Sequence, residues 1–114
     1  MKSLADIPLR DNERQAIEAA ARLLRQAFPV EQVILFGSKA RGTSGAESDI
    51  DLLLLTSRQL EWSERKAINT ALFQLEMTHE VVISTLIVAT ADWTEGLWQV
   101  LPIRDEIERD GVAA

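Results

Sequence analysis

The sequence predicts one α/β (α+β) domain over residues 1–114, and three observations carry that prediction. The chain has 114 residues, which is a usual length for a single domain. Hydrophobic residues make up 46% of it, as in ordinary globular cores. Segments in which apolar residues recur at helical spacing alternate with short, apolar, strand-like segments. This alternation is typical of a sheet that packs against helices.

The first half of the chain predicts a long helix, a helical turn and two strands. In residues 11–28, Ile17, Leu24 and further apolar residues form one helical stripe. Asp11 is the expected N-cap, and Pro29 ends the helix. Then follow a strand over 31–36, a helical turn or loop over 38–42, a turn-rich segment over 43–48 and a strand over 49–55. The second strand is apolar on both faces over 52–55, which predicts a central position in the sheet.

The second half of the chain predicts three helices and one strand. They are a helix over 58–78 with Ser57 as N-cap, a strand over 81–88, a short helix from Thr90 to Trp98, and a last helix between Pro102 and Gly111. The acidic residues of that last helix predict a solvated face; they are Asp105, Glu106, Glu108 and Asp110. The single histidine, His79, is expected to have a capping or surface role, and the three tryptophans are expected in the core or between helices.

Composition and charge narrow the classes of function. The net charge is −6 and the sequence pI is near 4.7, which argues against long DNA or RNA as the main ligand. An acidic chain can still hold a nucleotide at a local anion site, and it can bind a basic protein partner. The absence of cysteine excludes disulfides and thiolate zinc sites. No apolar run reaches the ~18 residues of a membrane span and no signal peptide is visible, so we expect a soluble, cytoplasmic protein.

The segment LFGSKARG, residues 35–42, has the features of a phosphate-binding turn. Gly37 follows the predicted strand, where the missing side chain lets a bulky ligand approach the backbone. A helical turn that begins at Ser38 would direct free N–H groups toward that ligand, and the Ser38 hydroxyl adds a further polar group. Lys39 and Arg41 bring local positive charge to an acidic chain. These residues are therefore the candidate nucleotide-binding set.

Asp49 and Asp51 are the candidate metal ligands. They lie two residues apart on the predicted strand, so they project from the same face, roughly 6–7 Å apart at the backbone. Two carboxylates at that spacing can share divalent metal ions, and Mg²⁺ prefers a few carboxylates plus substrate phosphates. The turn and the two aspartates therefore predict one site for a metal-bound triphosphate.

Each half of this pattern has a simpler interpretation when it is taken alone. A Gly-Ser pair after a strand is usually only a turn, and an Asp-x-Asp is usually a solvated strand edge. Here the two aspartates open a strongly apolar strand, where charge without a partner is costly. The P-loop motif fails because no Lys follows Gly42, and the dinucleotide motif fails because the glycine spacing is wrong. The combination of the two halves carries the prediction.

LFGSKARG followed by SDIDL closely resembles the core motif of the minimal nucleotidyltransferases (MNT) of the DNA polymerase β-like superfamily. The resemblance covers about residues 11–92. It implies a small mixed sheet flanked by helices, and transfer of a nucleoside monophosphate, usually AMP from ATP, to an acceptor. By matching position, Gly37 and Ser38 would hold the triphosphate, and Asp49 and Asp51 would bind Mg²⁺. Lys39 and Arg41 match the family's basic positions, and Arg41 would be the better phosphate contact.

The chain departs from this family at one position. Active members usually carry a third carboxylate on the next core strand, where it helps to bind metal and to activate the attacking hydroxyl. The expected position falls near Ser84 or Thr85, and neither is acidic. Glu80, at the start of the predicted strand, is the candidate substitute and would join Asp49 and Asp51 as a catalytic residue. Without a third carboxylate, turnover would be slow or absent although triphosphate binding would survive.

Two hypotheses about function follow from the resemblance. Small stand-alone members of the family resemble antitoxins that are paired with a HEPN-type toxin ribonuclease. The first hypothesis is an antitoxin enzyme that transfers AMP from ATP to a protein acceptor such as that toxin. The alternative is a catalytically weak or inactive module that binds nucleotide or partner and masks the toxin by complex formation. The sequence leaves the acceptor open and is compatible with an oligomer.

Overall fold

The computed structural model describes residues 1–43 and 49–114, so most of the turn-rich segment predicted over 43–48 lies outside the described residues. The strands are β1 (Lys2–Ser3), β2 (Val30–Phe36), β3 (Ile50–Thr56), β4 (Ile83–Ala89) and β5 (Val112–Ala113). The helices are α1 (Asp11–Ala27), α2 (Ser38–Arg41), α3 (Trp62–His79), α4 (Thr90–Glu95) and α5 (Pro102–Asp110). Two 3-10 helices, Leu4–Asp6 and Leu97–Val100, lie between these elements. No helix in the described ranges is long and apolar enough to cross a membrane.

The strands form one mixed sheet in the order β1-β5-β2-β3-β4. β2 pairs antiparallel with β3 and with β5, whereas β3 pairs parallel with β4. Leu52 to Leu55 in β3 are all buried, which confirms the prediction of a central strand covered on both faces. The predicted α/β (α+β) class, with a small mixed sheet flanked by helices, is confirmed.

Helices cover both faces of the sheet. On one face, α1 and α3 pack against Ile50, Leu52 and Leu54 of β3. On the other face, α4 and α5 pack against Leu53 and Leu55. Because successive side chains of a strand point to opposite faces, Asp51 lies on the same face as Leu53 and Leu55. The site therefore belongs to the face that α4 and α5 cover only in part.

Most predicted elements are confirmed, with shifted ends. Asp11 is the first residue of α1 rather than its N-cap. α3 begins at Trp62 instead of 58, because the Glu64 carboxylate accepts a hydrogen bond of 3.0 Å from the N–H of Glu61 and fixes the helix start there. Trp62 itself is 74% exposed, against the expectation of a packed side chain. β1 and β5 were not predicted, since two-residue strands carry no periodicity.

Candidate functional site

The predicted helical turn after β2 is present. Gly37 is the N-cap of α2 and has φ 78° and ψ −157°, a backbone conformation that is essentially restricted to glycine. The N–H of Arg41 donates to the carbonyl oxygen of Gly37 over 3.2 Å, which closes the first turn. The N–H groups of the preceding residues in that turn have no intrahelical acceptor, as at every helix start. They are available to an external acceptor such as a phosphate oxygen.

Gly37 also makes room for the carboxylate of Asp51. Phe36 lies opposite Asp51 in the antiparallel register, so Gly37 follows directly beside that aspartate. A Cβ atom added to Gly37 would lie 2.4 Å from Asp51 Oδ2. Glycine was predicted here because a ligand approaches the backbone, and the position of the Asp51 carboxylate is a second reason for glycine. The turn and the aspartate strand therefore meet at one point.

The two aspartates form a concentrated negative charge. Asp49 is exposed just before β3, and Asp51 is half-buried as the second residue of β3. Burial raises the pKa of Asp51, and the nearby charge of Asp49 raises it further. The positive charges of Arg41 and Lys39 act in the opposite direction on that pKa. Asp51 thus lies within electrostatic reach of both basic residues of the turn.

Ser84 occupies the position beside the two aspartates on the neighbouring strand. In the parallel register of β3 and β4, Ser84 lies opposite Asp51. The Ser84 hydroxyl donates a hydrogen bond of 3.2 Å to Oδ2 of Asp49. Thr85 is the next residue of the strand, so its side chain points to the other face. Of the two positions at which a third carboxylate was expected, the structure therefore selects Ser84.

Glu80 lies elsewhere. It is the exposed C-cap of α3, with a left-handed φ of 56°, and β4 begins only at Ile83. The alternation of a strand therefore does not extend to Glu80. Within residues 1–43 and 49–114, no group of three or more His, Asp or Glu side chains is placed to hold a metal ion. The structure does not bring Glu80 together with Asp49 and Asp51, and the expectation that it completes this set has no geometric support.

Lys39 makes a different contact from the one expected of a nucleotide-binding residue. Its side chain is 2% exposed, and its Nζ donates to the carboxylate of Glu13 on α1. Although burial raises the pKa of Glu13, the hydrogen bonds from Lys39 and from the N–H of Arg10 hold that pKa below its ordinary value. Lys39 therefore fastens α2 to α1. Arg41 is exposed and makes no ion pair among the described residues, so it is the basic side chain free to meet a ligand.

Comparison with known proteins identifies the family. Residues 18–95 match the polymerase beta nucleotidyltransferase family, and this range includes the turn and both aspartates. The chain belongs to this family. A protein of Methanocaldococcus jannaschii that is provisionally named a protein adenylyltransferase is 31% identical over 83 residues. That alignment covers 73% of this chain and 77% of the relative. The predicted resemblance to the polymerase β-like nucleotidyltransferases is confirmed.

Solved structures share the fold of this nucleotidyltransferase. A chain of a toxin–antitoxin crystal structure with AMP-PNP has a TM-score of 0.59 and 18% identity, covering 91% of this chain and 72% of that one. A chain of a mutant of the toxin–antitoxin MntA–HpeT has a TM-score of 0.57 and 20% identity, covering 94% and 72%. A protein of Sulfolobus solfataricus, provisionally named a nucleotidyltransferase, has a TM-score of 0.58 and 18% identity, covering 90% and 80%. At these identities the likeness establishes the fold.

The donor set of the nucleotidyltransferase fits a magnesium ion. Asp49 and Asp51 provide hard oxygen donors, and the charge of Asp49 disfavours the ionised form of Asp51, an effect that a bound cation would offset. Mg²⁺ binds through one or two carboxylates and completes its shell with water and substrate phosphates. Two aspartates beside a phosphate-suited turn match that preference. A closed cage of protein ligands is not needed.

A cavity of about 210 Å³ lies beside the turn, and the sequence did not predict it. Its lining residues are Phe36, Gly37 and Arg41 from the turn side, and Ile103, Glu106, Ile107 and Asp110 from α5. The expected solvated face of the last helix is therefore, in part, a cavity wall. The spacing of the four α5 residues was the available signal, because positions three and four apart share one helix face. What that face meets depends on the tertiary fold.

Proposed function

We propose that this nucleotidyltransferase transfers AMP from Mg-ATP to a protein acceptor. The observation that carries the proposal is the meeting of Gly37 with the carboxylate of Asp51. It puts amides that suit a polyphosphate directly beside carboxylates that suit its metal ion. A cytoplasmic location, where ATP and magnesium are available, belongs to the proposal.

The residues of the chain act by positioning and by charge. The free N–H groups of the turn and the Ser38 hydroxyl bind phosphate oxygens, and Arg41 neutralises further phosphate charge. Asp49 and Asp51 would hold magnesium, and the bound ion would supply positive charge that offsets the charge of the phosphates and of the pyrophosphate leaving group. The acceptor oxygen bonds to the α-phosphorus while the bond to pyrophosphate breaks. The acceptor proton leaves to an aspartate carboxylate or to water, because the Ser84 hydroxyl is not a base at neutral pH.

The acceptor in this proposal is a protein, and specifically a HEPN-type toxin that the chain counteracts as an antitoxin. Two points support it. The relative in Methanocaldococcus jannaschii is named for adenylyl transfer to protein, and two fold neighbours come from toxin–antitoxin structures. The net charge of −6 suits a basic partner surface.

The experiment uses the two ends of the triphosphate as labels. The chain is incubated with magnesium, a purified HEPN-type toxin and ATP labelled at either the α- or the γ-phosphate. AMP transfer predicts labelled toxin with the α-label only, because the γ-phosphate leaves with pyrophosphate. The variant with Asp49→Asn and Asp51→Asn is expected to lose the label and the binding of Mg-ATP measured by calorimetry. Label from γ-labelled ATP, or Mg-ATP binding that survives both replacements, would refute the proposal.

The presence of Ser84 beside the aspartates favours a second candidate. A hydroxyl replaces the carboxylate that helps active members to bind metal, so the chain can be a weak enzyme that masks its partner by binding. This candidate predicts stoichiometric inhibition of the toxin without ATP and without label on it. The enzyme predicts inhibition that requires Mg-ATP and continues at a molar excess of toxin.

A further inference from the structure

The cavity beside Gly37 lies on the face of the sheet that carries Asp51. Phe36 of its wall is opposite Asp51 in the β2–β3 register, and Ile107 belongs to the core on the same face. Gly37 and Arg41 belong to the turn and also line the cavity, so the turn and the cavity share a wall. A nucleotide whose phosphates lie at the turn would therefore have this cavity beside it.

Apart from Gly37 and Arg41, which belong to the turn, the cavity walls combine two kinds of chemistry. Phe36, Ile103 and Ile107 provide apolar surface, which suits the face of a flat ring. Glu106 and Asp110 provide carboxylate oxygens, which accept hydrogen bonds and repel phosphate. The volume of about 210 Å³ lies below the ~300–1,000 Å³ of pockets that enclose a drug-sized molecule. The cavity thus fits one ring system that donates hydrogen bonds, and not a whole nucleotide or its polyphosphate.

We propose that this cavity binds the base of the nucleotide, and that Glu106 and Asp110 select a base with an exocyclic amino group, as in adenine. This inference rests on the proposed function, because the triphosphate must be held at the turn and the aspartates. The apolar wall packs on the ring, and the carboxylates accept N–H groups from its edge. Uracil fits less well, because two carbonyl oxygens flank its single N–H and face the carboxylates.

The test compares ATP with purine riboside triphosphate, which lacks only the amino group. Both ligands carry the same charge, so the ratio of their affinities does not respond to a general change in the electrostatic field. A hydrogen bond to a charged group predicts that the wild type binds ATP about tenfold or more tightly. In the variant with Glu106→Ala and Asp110→Ala this ratio should fall to about one.

The replacements preserve the helix and have a matched control. Alanine is the most favourable residue in a helix interior. Asp110 is bonded only to the exposed Arg109 next to it among the described side chains, so little stability depends on it. Asp105→Ala removes one carboxylate, as each of the two replacements does, from the same helix at a position that does not line the cavity, and it should keep the wild-type ratio. Titration by calorimetry at saturating magnesium measures all the affinities.

Several results would overturn the inference. The carboxylates would not contact the amino group of the base if the wild type bound ATP and purine riboside triphosphate equally tightly. The same would follow if the ratio of these two affinities were unchanged in the double variant. An unchanged ratio together with slower transfer to the toxin would assign the cavity to the acceptor. These results leave the proposed function standing if Mg-ATP binding still requires Asp49 and Asp51. Loss of that requirement, or absence of any triphosphate binding, would overturn both proposals.

Discussion

Replacement of Gly37 by alanine tests the junction on which the proposed function rests. The added Cβ would lie 2.4 Å from Asp51 Oδ2, and an ordinary contact of 3.4 Å requires a movement of about 1 Å. A misplacement of that size at a reacting centre can cost about a hundredfold in rate. The φ of 78° and ψ of −157° add a backbone penalty of about 1–3 kcal/mol for a residue with a Cβ. We therefore expect Gly37→Ala to lose stability, Mg-ATP affinity and about a hundredfold in AMP transfer.

Gly42→Ala is the matched control for Gly37→Ala. Gly42 ends the same short helix with a left-handed φ of 73°, which costs about 1–2 kcal/mol for alanine. The nearest atom to its added Cβ is Cγ of Pro8 at 4.0 Å, so no clash occurs. Both variants should unfold at lower urea concentration, but only Gly37→Ala should lose Mg-ATP affinity in calorimetry. Equal affinity in the two variants would refute the idea that the carboxylate position depends on Gly37.

Three further predictions concern the neighbours of the site. Ser84→Asp adds a carboxylate beside Asp49 and should raise the rate of AMP transfer by about a hundred- to ten-thousand-fold. Glu80→Gln should leave that rate unchanged. A rate that does not rise with Ser84→Asp would contradict the assignment of the third carboxylate to this position. Lys39→Met leaves the buried carboxylate of Glu13 without its partner and should lower the free energy of unfolding, measured in urea, by about 3–5 kcal/mol. The added replacement Glu13→Gln should restore most of this loss. Equal stability of the single and the double variant would contradict this prediction. The pKa of Glu13 is lowered from 4.5 in the folded state. The ionised Glu13 carboxylate therefore stabilises the fold above pH ~4.5, and this contribution is lost as the pH falls through the folded-state pKa. The melting temperatures of wild type and Glu13→Gln should converge below pH 4.5.

The sequence was sufficient for the parts of the fold that depend on local pattern. The apolar stretches on either side of the turn gave β2 and β3, and the glycine between strand and helix gave the turn itself. The predicted start of α3 was wrong because Ser57 is a preferred N-cap by residue type, whereas Glu61, the observed N-cap, is not. The bond from the Glu61 N–H to Glu64 decides between them, and a sequence does not show it.

The side-chain assignments depended on contacts between distant elements. Lys39 and Arg41 are two residues apart on a four-residue helix, and both were predicted to bind nucleotide, with the family resemblance favouring Arg41 as the phosphate contact. The packing of α1 against α2 buries Lys39 on Glu13 and leaves Arg41 exposed. Ser84 was one of two named positions for the third carboxylate, and only the β3–β4 register separates it from Thr85.

The mixed pairing of β3 explains why the chemistry concentrates at Asp51. The antiparallel neighbour β2 ends level with Asp51, so the chain must turn there and places Gly37 against the carboxylate. The parallel neighbour β4 places Ser84 level with Asp51 on the other side. The residue type at position 84 therefore decides whether a third carboxylate is present beside the two aspartates. The same two registers leave the phosphate turn intact whatever residue stands at 84. If the proposed function holds, we therefore expect the affinity for triphosphate and the rate of transfer to change independently, with a substitution at Ser84 changing the rate and leaving the affinity.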